Sequence, residues 1–449
     1  MKAKPIAVLL AAALWLAPTS VHAASGKASE KSAGAYVLPA SYKQAYSYRT
    51  NMPHLETVAL AKNKDLESIR ISDTERYIYQ VCDRISHMAA NDFEKVKMAH
   101  DFLAALISYD IDNFWAGTVP AQDFASVIQT KKAVCEGYAK ALKRFCDELK
   151  VPCEMVYGFS RGVGSSPFKE EDPTKPNHAW NIVRVNGEHY LVDCTWDAGH
   201  FENGELRRLY TTDWLFVKPK HMIYSHFPKN PDQQLLEKPI SAQEFNARPD
   251  FRPKLFDSAK TEPIPSKIQA CDGRYKMEFE VKKGYRLSFN LINLATKTTP
   301  QNRMFIRSIG SKTKVNFSLP TKDDYEVVIF CWRPGLDKGV SCGYFILKPS
   351  ASSDVQYPTT YLTKATDACV LEPIYAPLKK GQKYKFTVHV ADRKFVAVIC
   401  GKNFIQLKNN GKGDFSGEIE IPQNMDVVSV GHSNAEMKSY EIMARYKVE

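Results

Sequence analysis

The spacing of apolar residues changes twice along this chain, and those changes divide it before any motif is considered. In the first half the apolar positions recur at helical intervals: Ile78, Val81, Ile85 and Met88; then Val96, Ala99, Leu103 and Leu106; then Tyr138, Leu142, Phe145 and Leu149. Ser72-Asp73-Thr74-Glu75 reads as a capping box before the first helix, and Asn91 with Glu94 opens the second. The third must stop before Pro152, which has no N–H and restricts the residue preceding it. A polar, aromatic loop is expected from Asp112 to Gln122. After a further loop from Ser160 to Asn177 the pattern alternates. His178 to Val185 and Glu188 to Thr195 flank Asn186-Gly187, a pair that favours a type I′ hairpin turn. Beyond Pro239 helical periods vanish, and short β-prone runs alternate with turn residues. Val281-Lys282-Lys283-Gly284 and Leu378-Lys379-Lys380-Gly381 each lead into such a run, and Phe305-Ile306 and Phe404-Ile405 form a second pair. A spacing of about 100 residues is the size of one β-sandwich, so two are expected.

Residues 1–23 are excluded from the fold. Lys2 and Lys4 precede the apolar run Ile6 to Leu16, and Val21-His22-Ala23 offers small residues for cleavage, the pattern of a secretory signal. The run is too short for a spanning helix, which needs about 20 apolar residues. The expected compartment is extracellular or periplasmic, with a mature protein soluble after cleavage. The net charge of +11 is dispersed along the chain. It serves solubility and suits anionic surfaces such as a cell envelope. No nucleic-acid motif accompanies it. The 10 cysteines contain no C-x-x-C pair, and export would permit disulfides. Cys331 and Cys342, flanking a Pro-Gly turn, are the first candidate pair. His178, His189, His200, His221 and His226 lack a zinc-like spacing, and no cofactor motif appears.

The chemistry is carried by Cys135, His178 and Asp193. Cys135 falls at the start of the third helix, where unpaired amides and the helix dipole favour a thiolate. Glu136 beside it opposes that charge, so a nearby cation is wanted. If Asn186-Gly187 is the turn, Val185 faces Glu188, Trp180 faces Asp193 and His178 faces Thr195. His178 and Asp193 are then diagonal neighbours on one face, with Cβ atoms about 7 Å apart. Asp193 can hold one ring nitrogen of His178 and leave the other for Cys135. The Cys135 N–H is a natural oxyanion donor. Gln129 is either a second donor or, more simply, a solvated loop glutamine.

Ala133-Val134-Cys135-Glu136-Gly137-Tyr138-Ala139, Asn177-His178-Ala179-Trp180-Asn181 and Tyr190-Leu191-Val192-Asp193-Cys194-Thr195-Trp196 together resemble the three signature blocks of the transglutaminase-like superfamily. Ser225-His226-Phe227-Pro228 and Gln234-Leu235-Leu236 resemble its kyphoscoliosis-peptidase branch, in which immunoglobulin-like domains follow the core. Ala133 and Gln233 stand where that pattern usually has Gly and Trp. The resemblance implies Cys135 as nucleophile, His178 as general base and acid, and Asp193 as orienter, acting on a peptide or protein. The expected fold is α+β: a papain-like, transglutaminase-like core of helices and antiparallel sheet, then two all-β immunoglobulin-like sandwiches. The expected divisions are 1–23 signal, 24–35 flexible leader, 36–240 core, 241–350 first sandwich and 351–449 second. The functional expectation is an exported cysteine peptidase or amidase. The alternatives are a cross-linking glutamine acyltransferase and an inactive scaffold presenting the sandwiches.

Overall fold

The computed structural model describes residues 40–50, 55–162, 172–202, 205–262, 264–333, 339–361, 367–435 and 439–449. The signal and leader segments lie outside the described residues. No helix among the described residues is long and apolar enough to cross a membrane.

Three helices follow the expected periods. In α1 (Thr74–Met88) the cap is Asp73, whose carboxylate accepts the Arg76 amide at 3.0 Å. The buried face is Tyr77, Ile78, Val81, Cys82 and Ile85, while Met88, at 38% exposure, lies outside it. Asn91 caps α2 (Asp92–Leu106) by accepting the Glu94 amide, and the Glu94 carboxylate accepts the Ala90 amide in return. α2 is buried on nearly every side, including Lys97, His100 and Asp101. α3 (Cys135–Glu148) begins at Cys135 and buries Tyr138, Leu142 and Phe145. The expected loop after Asp112 is partly helical, Ile111–Ala116, closed by Gly117 at φ 67°.

Against these helices lies an antiparallel sheet in the order β3-β2-β1-β4, made of β1 (Cys153–Ser160), β2 (His178–Val185), β3 (Glu188–Val192) and β4 (His226–Pro228). The β2–β3 register pairs Val185 with Glu188 and Asn181 with Val192. Asn186 and Gly187 take φ 52° and 83°, both left-handed, as a type I′ turn requires. The second arm stops earlier than expected. Asp193 accepts the Thr195 and Trp196 amides and starts a short helix, α4 (Cys194–Asp197). Thr195 therefore never reaches a position opposite His178. Gly158 in β1 admits the chain of β4, since a Cβ there would lie 2.3 Å from the Phe227 carbonyl oxygen.

The remainder is two sandwiches. The first stacks β5-β6-β9-β8 on β7-β10-β11, using β5 (Lys267–Cys271), β6 (Arg274–Glu280), β7 (Arg286–Asn293), β8 (Met304–Ile309), β9 (Lys312–Ser318), β10 (Tyr325–Trp332) and β11 (Val340–Leu347). In chain order this is the ABED and CFG arrangement of immunoglobulin domains. The second has β13 (Ala368–Glu372), β14 (Lys383–Val390), β17 (Lys408–Gly411) and β18 (Asp414–Glu420) in the order β13-β14-β18-β17. Facing them are β12 (Thr359–Thr360), β15 (Phe395–Cys400), β16 (Asn403–Gln406), β19 (Val427–Ser433) and β20 (Glu441–Lys447) in the order β12-β20-β19-β15-β16. The two Lys-Lys-Gly turns both use a left-handed glycine, Gly284 and Gly381, but they precede strands of opposite sheets, β7 and β14. The architecture repeats, whereas that sequence pair marks non-equivalent places in it.

The segment after position 240 joins core and sandwich. Strand Asp250–Phe251 pairs with β11, and Leu255 and Phe256 enter the first sandwich core. Phe245 packs with Phe159 of β1 and Phe227 of β4. Arg161 donates to the carbonyls of Tyr224, Phe245 and Arg248, and Arg49 pairs with Asp257 at 2.7 Å. The expected Cys331–Cys342 disulfide is not formed, and both are buried thiols. A bulge in the β10–β11 ladder sets Cys331 opposite Val340, and Cys342 Sγ donates to the Ile329 carbonyl at 3.4 Å.

Candidate active site

Cys135 is the first residue of α3, and Val134 before it supplies no side-chain cap. The amides of the opening turn thus lend their positive end to the thiol. Burial raises the Cys135 pKa, yet the charge and hydrogen bond of His178 and the Ala179 amide outweigh it, and the thiol ends below its ordinary value. The opposing charge of Glu136 is taken up by Lys140 at 2.8 Å and by the Tyr157 hydroxyl.

His178, the first residue of β2, is held through Nε2, 2.7 Å from Asp193 Oδ2. That leaves Nδ1 for Cys135. Burial lowers the His178 pKa, but the negative charges of Asp193 and Cys135 carry it up to about 10. Asp193 is 1% exposed. Burial favours its neutral form, and the His178 charge with hydrogen bonds from His178 and His226 holds it ionised, well below the usual carboxylate range. Trp180 stacks on the His178 ring at 5.9 Å, and Trp196 tilts over it at 5.5 Å. A cavity of about 130 Å³ opens beside His178, lined by Tyr109, Phe114, Tyr138, Trp196 and Arg208.

A thiol at a helix start, an imidazole and a buried carboxylate thus meet in one place, and a family comparison agrees with the setting. The model of the transglutaminase-like superfamily matches residues 79–194, a span that holds Cys135, His178 and Asp193. Residues 79–194 are a transglutaminase-like domain. Among curated relatives, the kyphoscoliosis peptidase of Mus musculus is 25% identical over 283 residues, 60% of this chain and 41% of that protein. The kyphoscoliosis peptidase of Homo sapiens is 26% identical over 249 residues, 53% and 37% respectively. The Lim and transglutaminase domain protein ltd-1 of Caenorhabditis elegans is 30% identical over 132 residues, 27% and 18%. The chain therefore spans well under half the length of these relatives.

Two residues, one beside the start of α3 and one beside Asp193, make contacts that no local sequence pattern signals. Gln129 is exposed near the end of helix Phe124–Thr130. The glutamine beside the helix start is instead Gln122, whose Oε1 accepts the Val134 amide at 2.9 Å. It fits because Gly137 has no side chain; a Cβ there would lie 2.5 Å from that oxygen. The other is His226, from β4, whose Nε2 lies 3.1 Å from Asp193 Oδ2. His178, Asp193 and His226 bring their donor atoms within 4.8 Å of one another. Ligands on a tetrahedral metal stand about 3.3 Å apart. The contacts at 2.7 and 3.1 Å are shorter and suit shared protons.

Proposed function

We propose that the chain is a cysteine acyl-transfer enzyme acting on a peptide or protein amide outside the cytoplasm. The observation that carries this is the Asp193–His178 hydrogen bond beside a thiol of lowered pKa at the start of α3. The Cys135 thiolate attacks the amide carbonyl carbon, and the Cys135 N–H faces the developing oxyanion. His178 gives its Nδ1 proton to the leaving amine as the C–N bond breaks, which leaves a thioester on Cys135. Water, or a second amine, then attacks that thioester. His178 takes the incoming proton and keeps it as the thioester opens, which restores the thiolate beside a protonated imidazole. Asp193 keeps the imidazole oriented and stabilises its charged form throughout. The cavity beside His178, with its aromatic walls, suits an apolar substrate group. Export rests on the N-terminal pattern of residues 1–23.

The test uses the full chain with p-nitrophenyl acetate. A burst of p-nitrophenol is expected, with one acetyl group mapping to Cys135 by peptide mass and none on Cys135→Ala. Adding methylamine then separates hydrolysis, which releases acetate, from transamidation, which releases N-methylacetamide. Acetylation that persists in Cys135→Ala would refute the assignment, and wild-type protein with an unmodified Cys135 would favour the scaffold.

A further inference from the structure

The Asp193 carboxylate holds two imidazoles on a single oxygen. His178 Nε2 and His226 Nε2 lie 2.7 and 3.1 Å from Oδ2, while Oδ1 accepts the Thr195 and Trp196 amides at 2.9 and 3.2 Å. His226 is 1% exposed, and its ring sits among Trp180, Trp196 and Trp214 with centroids 4.9, 4.5 and 5.0 Å away. Its tautomer follows from its partners. Nε2 faces an ionised carboxylate, which can only accept, so Nε2 carries a proton. Burial opposes a second proton and takes the His226 pKa down to about 4, against the pull of Asp193 and with the push of His178 and Arg252. Nδ1 is then an acceptor for the buried Ser225 hydroxyl at 2.9 Å, a closer partner than the Met222 carbonyl at 3.2 Å. Two donors on one carboxylate oxygen compete, because each stabilises the charge that the other seeks.

Resting on the reading of Cys135 as nucleophile, we propose that Ser225 and His226 are positioning residues that hold Asp193 Oδ2 and draw off part of its charge, so that His178 can release its proton in each cycle. The titratable and charged groups facing this arrangement are Asp193, His178 and Arg252 around His226, His178 and His226 around Asp193, and Asp193 with Cys135 around His178. Tyr109 faces Cys135 and Asp193. Once Cys135 is acylated its charge is gone, and the hold of Asp193 on the His178 proton is tempered by His226.

The experiment measures acetyl release from Cys135 after p-nitrophenyl acetate treatment of the full chain, across pH. Release needs an unprotonated His178, so the acidic limb of the profile reports that proton. His226→Phe is expected to move the limb up by about one pH unit, slowing release about tenfold below it and converging with wild type at alkaline pH. His226→Gln, whose amide N–H can donate to Oδ2, is expected to restore the limb. Ser225→Ala keeps the ring but frees its tautomer and is expected to move the limb the same way by less, which decides the matter if His226→Phe does not fold. An unmoved limb, a downward shift, or a loss equal at every pH would overturn the proposal. A wild-type Cys135 that never acquires the acetyl group would instead defeat the underlying reading of the nucleophile.

Discussion

Asp193→Asn is expected to slow acyl transfer by ~10²–10³-fold, within the range of general acid–base effects and below the ~10⁴ of the matching change in a serine triad. The carboxylate accepts four hydrogen bonds, two amides on Oδ1 and two imidazoles on Oδ2. An asparagine can keep the amides and so the start of α4. Its NH₂ would then face two ring nitrogens, and each ring would have to present an acceptor at Nε2. His178 would carry its proton on Nδ1 and lose the negative charge that stabilises imidazolium, so the thiol would keep its own proton near neutral pH. The measure is the steady-state rate with p-nitrophenyl acetate together with the thermal midpoint. Lost stability, with the rate per folded molecule intact, would reduce Asp193 to a helix cap costing about 1 kcal/mol.

Lys97→Ala is expected to destabilise the fold by about 3 kcal/mol, because it strips one of two cationic partners from a buried carboxylate. Lys97 Nζ lies 2.7 Å from Asp101 Oδ2, with both side chains fully enclosed. The chain of charge continues from Asp101 to His100 Nδ1, and from His100 Nε2 to Asp197 Oδ2, each at 3.1 Å. Asp197 ends α4, the helix that Asp193 caps, so this network ties Asp193 to α2. Burial lowers the His100 pKa, but the hydrogen bonds and charges of Asp101 and Asp197 raise it from 6.5 to about 9. A raised folded-state pKa contributes stability that is full below the unfolded value and is lost as pH rises through the folded one. The wild type should therefore lose part of its stability between pH 6.5 and about 9. Urea midpoints at both ends of that window check the two statements. A Lys97→Ala midpoint equal to wild type would show that Asp101 is compensated without Lys97.

What the sequence made legible was local. The helix start at Cys135 and the Asn186-Gly187 turn each follow from a few neighbouring residues, and they bring His178 and Asp193 to one end of one hairpin. The contact itself arises by another route. The ladder stops at Val192, and Asp193 meets His178 from a helix cap, a role that Asp before Cys194-Thr195-Trp196 also permits. His226 lies 33 residues from Asp193 along the chain and joins it only because β4 pairs with β1, which no local period encodes. The buried charges of α2 were hidden for a similar reason. Lys97 and Asp101 are an ordinary i, i+4 surface pair by spacing, and only the packing of Tyr210 and α4 against them makes them core. Helix Phe124–Thr130 intervenes before Cys135 and carries Gln129 to an exposed position, the simpler of its two readings, while Gln122 ahead of that helix accepts the Val134 amide.

The central claim is that Cys135 and His178 form a thiolate–imidazolium pair, and the most direct test is the rate of Cys135 alkylation by iodoacetamide against pH in the native full chain. The lowered thiol and the imidazole at about 10 predict a rate nearly level from mildly acidic to mildly alkaline pH. A rate that instead climbs about tenfold per pH unit until about pH 8.5, as for an isolated thiol, would contradict the account.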